Sequence, residues 1–168
     1  MNLKKLILSS LLLAIGLVLH QIVPPILFGM KPDFLLSMMF IAIALCDDYK
    51  LVLLIGLGAG ILTAATTGFP GGQMPNIIDK LITSNIVYFL FKLGKNKLNH
   101  QVKIFIVSLL GTLISGFIFL TSASIIVGLP GPFWALAIGV VLPAALFNVI
   151  ASMILYNASY LAVNKIHY

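Results

Sequence analysis

A chain of 168 residues that is 61% hydrophobic and only 8% charged is too apolar for a soluble domain. Its formal charge of +6 comes from lysine alone, and no stretch is long or polar enough for a separate nucleotide-binding or catalytic domain. A phosphate loop, a paired-cysteine site and a serine–histidine–acid set are absent, which excludes an internal ATPase and argues against an enzyme or a cofactor.

Charges and turn formers divide the chain into six apolar segments, predicting an all-α membrane protein with a single transmembrane domain over 1–168. The first segment, 6–28, follows MNLKK and resembles a signal peptide at its start. It continues past the usual apolar length without a cleavage motif, so we expect it to be retained, with Pro24-Pro25 ending or bending the helix. The second, 34–46, offers thirteen helical residues, about 20 Å against a hydrocarbon core of about 30 Å. It must be buried among its neighbours or extended by a bend. The third, 51–69, is rich in glycine and alanine; the fourth covers 76–93 and the fifth 104–127. The sixth, 133–163, is overlong and contains Pro143, which predicts a kink or an extension at one end.

Placing both termini in the cytoplasm puts eight lysines (4, 5, 50, 92, 95, 97, 103 and 165) inside and two outside. That bias is the ordinary signal for orientation in a membrane, and it explains the basic charge without nucleic acid. The two outward exceptions are Lys31 and Lys80, each within two positions of an acid: GMKPDF at 29–34 holds Asp33, and FPGGQMPNIIDK at 69–80 holds Asp79. Charge beside hydrocarbon is costly unless paired or used. One reading is structural: Asp33 caps the second helix, and Asn76 with Asp79 approximates a capping box. The other is a receptor for a small zwitterion, in which a lysine takes a carboxylate and an aspartate an ammonium group.

Around these clusters lie a glycine- and proline-rich stretch, 68–75, carrying Gln73, and GLPGP at 128–132 leading to Phe133 and Trp134. Irregular backbone is tolerated at membrane depth only where it lines protein or a cavity. Trp134 is either an interfacial anchor or a stacking partner for an aromatic ligand. Asn148, one turn past Pro143, needs partners inside an apolar run and either bonds a carbonyl released by the proline or meets a ligand. His20 reads as a satisfied intramembrane histidine. Small residues four apart (Ser10/Ala14, Gly56/Gly60 and Gly111/Ser115) permit close backbone approach, within the bundle or, for Ser10 and Ala14, to a partner.

These residues resemble the bacterial tryptophan transporter family TrpP, whose members look like substrate-binding (S) components of energy-coupling factor (ECF) transporters. The pattern covers most of the chain: PP and GMKPD near 24–33, TTGFPGGQMPNIIDK at 66–80, SGFIFL and VGLPG around 115–131, and VVLPAALFN at 140–148. The resemblance implies a six-helix S-component bundle in the plasma membrane and L-tryptophan as substrate. It also implies docking to a transmembrane coupling subunit with two ATPase subunits. The family's small-xxx-small docking motif falls on Ser10 and Ala14, with serine where alanine is usual. With tryptophan as ligand, Lys31 and Lys80 would take its carboxylate and Asp33 and Asp79 its ammonium. Gln73, Asn76 and Asn148 would read polar edges, and Phe133 and Trp134 would stack on the indole. The rival readings are an MreD-like scaffold of cell-wall elongation and an S component for another ligand such as a vitamin.

Overall fold

The computed structural model describes residues 2–23, 33–46, 48–94 and 99–166, with side chains to residue 162. Pro24, Pro25, Lys31, Lys95, Lys97 and the side chain of Lys165 lie outside the described residues.

Among the described residues every regular element is helical: α1 Leu3–Ile22, α2 Phe34–Ala44, α3 Tyr49–Thr66, α4 Gln73–Leu93, α5 His100–Ile126, α6 Phe133–Leu136 and α7 Leu142–Ile166. A π-helical turn, Ala137–Val141, joins α6 to α7, so the described residues form six rods. Four of them are long and apolar enough to cross a membrane: Leu3–Ile22, Tyr49–Thr66, His100–Ile126 and Phe133–Ala162. Their exposed faces carry large apolar side chains such as Ile125, Leu146 and Ile154, as lipid contact requires.

α2 is the centre of the bundle. It touches α1, α3, α4, α5 and α7, and every residue from Leu35 to Ile43 is buried. A helix that is apolar all round needs such a position. Burial among neighbours is how the described part of this short segment is accommodated. Phe40, Met39, Leu35 and Ile41 anchor the main core, together with Leu51, Val52 and Ile55 of α3 and Val87 of α4.

Small residues set the closest approaches. A Cβ on Gly56 would lie 2.1 Å from Ser84 Oγ and 3.1 Å from the Lys80 carbonyl, and one on Gly60 would lie 3.1 Å from Ile77 Cα. The Gly56/Gly60 pair therefore presses α3 onto α4, and the Gly111 position meets Phe40 and Val87. Gly56→Ala should destabilise the bundle by about 1–3 kcal/mol through overpacking. Thermal unfolding in detergent checks this, and Ser84→Ala in the same chain should recover part of the loss.

α4 begins at Gln73, three residues before the sequence-based boundary, with Gly72 as its N-cap. Asn76 thus lies inside the helix, where its amide donates to the Gly72 carbonyl at 2.8 Å, and it forms no capping box with Asp79. Pro75 is accommodated because first-turn amides lack intrahelical partners. The irregular stretch shortens to 67–72, turned by Gly71 at φ +71°, where a side chain would strike Val127. At the other end of α5, Gly128 at φ +84° donates to the Ala123 carbonyl and stops the helix.

Pro143 lacks an amide proton, and its ring crowds the carbonyl four residues earlier, at Gly139. The wider π turn, Ala137–Val141, falls at that place and relieves the conflict. It carries Val141 against α5, where a Cβ on Gly116 would come within 2.4 Å of the valine. The kink or extension expected from the sequence at Pro143 has its counterpart in this π turn.

Candidate functional site

Four helices converge on one ion cluster. Asp33 sits at the N-cap of α2 and accepts from the Leu36 amide at 2.9 Å through Oδ1. Asp79 and Lys80 lie roughly two turns into α4, and both side chains are buried. They are 1% and 3% exposed, far below what charged side chains show unless paired. Lys80 Nζ lies 2.6 Å from Asp79 Oδ2 and 3.6 Å from Asp33 Oδ2, so a single ammonium bridges two carboxylates from different helices.

The two acids are not equivalent. Asp79 Oδ1 accepts from Thr83 at 2.8 Å, and Oδ2 accepts from Ser115 at 2.8 Å as well as from Lys80. Its acceptor capacity is largely consumed, and it is sealed from solvent. Asp33 keeps 28% of its side chain exposed, and its Oδ2 stands beyond hydrogen-bond length from Lys80. Lys80 also donates to Ser115 Oγ at 3.3 Å. An ammonium has three protons, so one remains directed to the space between Lys80 and Asp33.

Asn148 ties this cluster to α7. Its Oδ1 accepts from the Asp33 amide at 2.7 Å, and its Nδ2 donates to Thr112 Oγ1 at 3.4 Å. The buried amide therefore finds partners on α2 and α5 rather than at a carbonyl released by Pro143. His20 Nδ1 is 3.9 Å from Asp33 Oδ1.

These groups open into a cavity of about 360 Å³, within the ~300–1,000 Å³ range of small-molecule sites. One wall is charged and polar: Asp33, Asn76, Asp79, Lys80, Thr112, Ser115 and Asn148. Apart from Thr67, the rest is apolar, from Leu36, Phe69, Gly116, Phe119, Leu120, Pro130, Leu136, Val140, Val141 and Ala144. Phe69 and Phe119 meet edge to face, 5.3 Å between centroids at 87°. The site thus offers a cation, a partly open carboxylate, amide and hydroxyl groups, and two aromatic rings.

Of the residues singled out in the sequence, Asp33, Asn76, Asp79, Lys80 and Asn148 come together here. Lys31 lies outside the described residues. Gln73 is exposed on the first turn of α4 and does not line the cavity. Phe133 packs on Phe117 at 6.0 Å, and Trp134 is 67% exposed, so neither ring lines it. Ser10 and Ala14 are exposed on α1, away from the site. Sequence reasoning missed Phe69, Phe119, Thr112 and Thr83, and treated Ser115 only as a packing residue. For Phe69 a signal existed, since it opens the FPGGQMPNIIDK stretch. Phe119 lies in the SGFIFL stretch of the same pattern, but phenylalanine is common in apolar helices and nothing there marked it as part of a cavity.

Residues 2–165 match the family described as Tryptophan transporter TrpP. A protein of Clostridium acetobutylicum named "Probable tryptophan transport protein" is 56% identical over 158 residues, covering 94% of this chain and 92% of that protein. Proteins of the same name from Bacillus subtilis strain 168 and Clostridium perfringens are 47% and 43% identical, covering 93% of this chain and 90% and 91% of their own lengths. No solved structure matches significantly. Matched over nearly its whole length, this multi-pass helical membrane protein belongs to the tryptophan transporter TrpP family, a family of transport proteins rather than of enzymes.

Proposed function

We propose that this protein takes up L-tryptophan from the outer side of the plasma membrane, holding the zwitterion in the cavity between α2, α4, α5 and α7. The observation that carries the reading is a buried lysine shared between two aspartates at the polar end of an otherwise apolar, phenylalanine-walled cavity. Lys80 receives the substrate carboxylate through its remaining proton. Asp33, the more open acid, receives the ammonium group. Asp79 holds Lys80 in place and charged, and makes no substrate contact of its own. The indole lies against Phe69 and Phe119, with Asn76 and Asn148 available to its N–H.

The lysine bias places both termini in the cytoplasm and this cavity towards the outside. The chain forms a single transmembrane domain and acts as the S component of an ECF transporter, docking through α1 to a coupling subunit with two ATPases. Support for the docking comes from α1 itself. It is the least buried of the four long spans, and Ile7, Ser10, Leu11, Ala14 and Val18 form one exposed stripe with small residues at its middle. Family membership favours transport over the MreD-like scaffold reading.

Binding of tryptophan to purified protein, with competing amino acids and vitamins, tests the assignment. Tryptophan should bind and small aliphatic amino acids should compete poorly. Phe119→Ala should weaken binding roughly ten- to hundredfold, as expected for a lost aromatic contact and its buried area, about 1.5–3 kcal/mol. Trp134→Ala, at a ring outside the cavity, should change affinity less than about threefold, below ~0.7 kcal/mol. The reverse ranking would move the aromatic subsite to Trp134.

A further inference from the structure

A second cavity, about 370 Å³, lies at the opposite end of the bundle, where α2 and α4 end and α5 begins. We propose that it is a binding site for the phosphate headgroup of an acidic membrane phospholipid. Lys92, His100 and Lys103 line it with the hydroxyl-bearing rings of Tyr88, Tyr156 and Tyr160, and no lining residue is a carboxylate.

The polar groups are already arranged. Tyr156 Oη and His100 Nδ1 are 3.2 Å apart, Tyr156 and Tyr160 stack at 5.9 Å, and Lys92 Nζ sits 5.2 Å over the Tyr88 ring. Asn99 makes no side-chain cap, so the first-turn amides of α5 point out beside His100 and Lys103, a favourable setting for an anion. The carboxyl ends of α2 and α4 act the other way. Magnitudes decide the balance: each helix terminus carries about half a unit charge, so the three termini leave about half a negative charge against two full lysine charges. The cavity is net cationic before histidine is counted.

A lipid rather than a soluble anion fits the rim. Leu93, Phe105 and Leu161, next to or one turn from lining residues, are 76%, 45% and 62% exposed. They give acyl chains an apolar surface beside the headgroup site. Basic pockets between membrane helices are an established way of holding such headgroups.

The test is thermal unfolding of the purified chain in nanodiscs of phosphatidylcholine alone or with phosphatidylglycerol. The acidic lipid should raise the unfolding temperature, and Lys92→Gln with Lys103→Gln should remove more than half of that shift. Lys4→Gln with Lys5→Gln, basic positions outside the cavity, should retain it. Native mass spectrometry gives a second reading, in which Tyr156→Phe should release bound phosphatidylglycerol at lower collision energy than the parent chain. A full shift in the Lys92/Lys103 variant would overturn the proposal. So would an equal shift from inorganic phosphate in phosphatidylcholine discs, which would assign the site to a soluble anion.

Discussion

Lys80→Ala should abolish tryptophan binding and also destabilise the fold, because one side chain serves both. Removing it leaves Asp79, 1% exposed, without its cation. Breaking a buried pair from one side typically costs about 3–5 kcal/mol, since the remaining charge has nowhere to go. A loss of binding in that variant alone would therefore be ambiguous. The informative chain is Asp79→Asn with Lys80→Met, which removes both charges and keeps side-chain volume. The introduced carboxamide can still bond Thr83 and Ser115, the groups that hold Asp79. We expect unfolding within a few degrees of the parent, with tryptophan affinity reduced by at least about a hundredfold, some 2.7 kcal/mol. Isothermal titration and thermal unfolding on one preparation give both readings. Affinity surviving in this double variant would remove Lys80 from substrate recognition.

The balance of order and function in this bundle follows from how α4 is placed. Gly56 and Gly60 bring α3 into close contact with α4 and limit how α4 can be oriented. In the orientation it adopts, Asp79, Lys80 and Thr83 face α2 and α5. The same close contact that stabilises the bundle thus drives two charges into its interior, where they must be answered. Ser115 and Asp33 answer them from two further helices.

Much of this was legible in the sequence. The six segments, the burial of the short second one and the disturbance before Pro143 follow from length, hydropathy and proline chemistry. The acids and Lys80 stood out because charge in so apolar a chain demands a reason. What could not be read was the partnership. Neighbours in sequence suggested Lys31 with Asp33 and Asp79 with Lys80, whereas Lys80 also reaches Asp33 from another helix. That pairing depends on α2 packing against α4 and on α4 starting at Gln73, and a local pattern records neither. The aromatic wall was hidden for a related reason. Phe133 and Trp134 drew notice beside a glycine–proline loop, but the turn of α6 directs them away from the cavity. Phe69 and Phe119 are fifty residues apart in the chain and meet only where the loop after α3 packs against α5.

Asp33→Asn separates recognition from folding most cleanly. Asparagine is as good a helix cap as aspartate, so it can still accept from the Leu36 amide through its side-chain oxygen. The backbone amide of residue 33 remains bonded to Asn148, which depends on no charge at this position. Lys80 keeps Asp79 at 2.6 Å and Ser115 as partners, so no buried ion is stranded. Stability should therefore change by less than about 1 kcal/mol, the scale of an ordinary surface substitution or cap exchange. Binding has no such protection. An ammonium ion facing a neutral amide oxygen loses a charge-assisted bond of about 1.5–3 kcal/mol, so affinity for tryptophan should fall roughly ten- to hundredfold. An analogue without the amino group, indole-3-propionate, should lose little or nothing on the same substitution, because it never used the carboxylate. Equal weakening of tryptophan and indole-3-propionate would show that Asp33 shapes the cavity and does not receive the ammonium group.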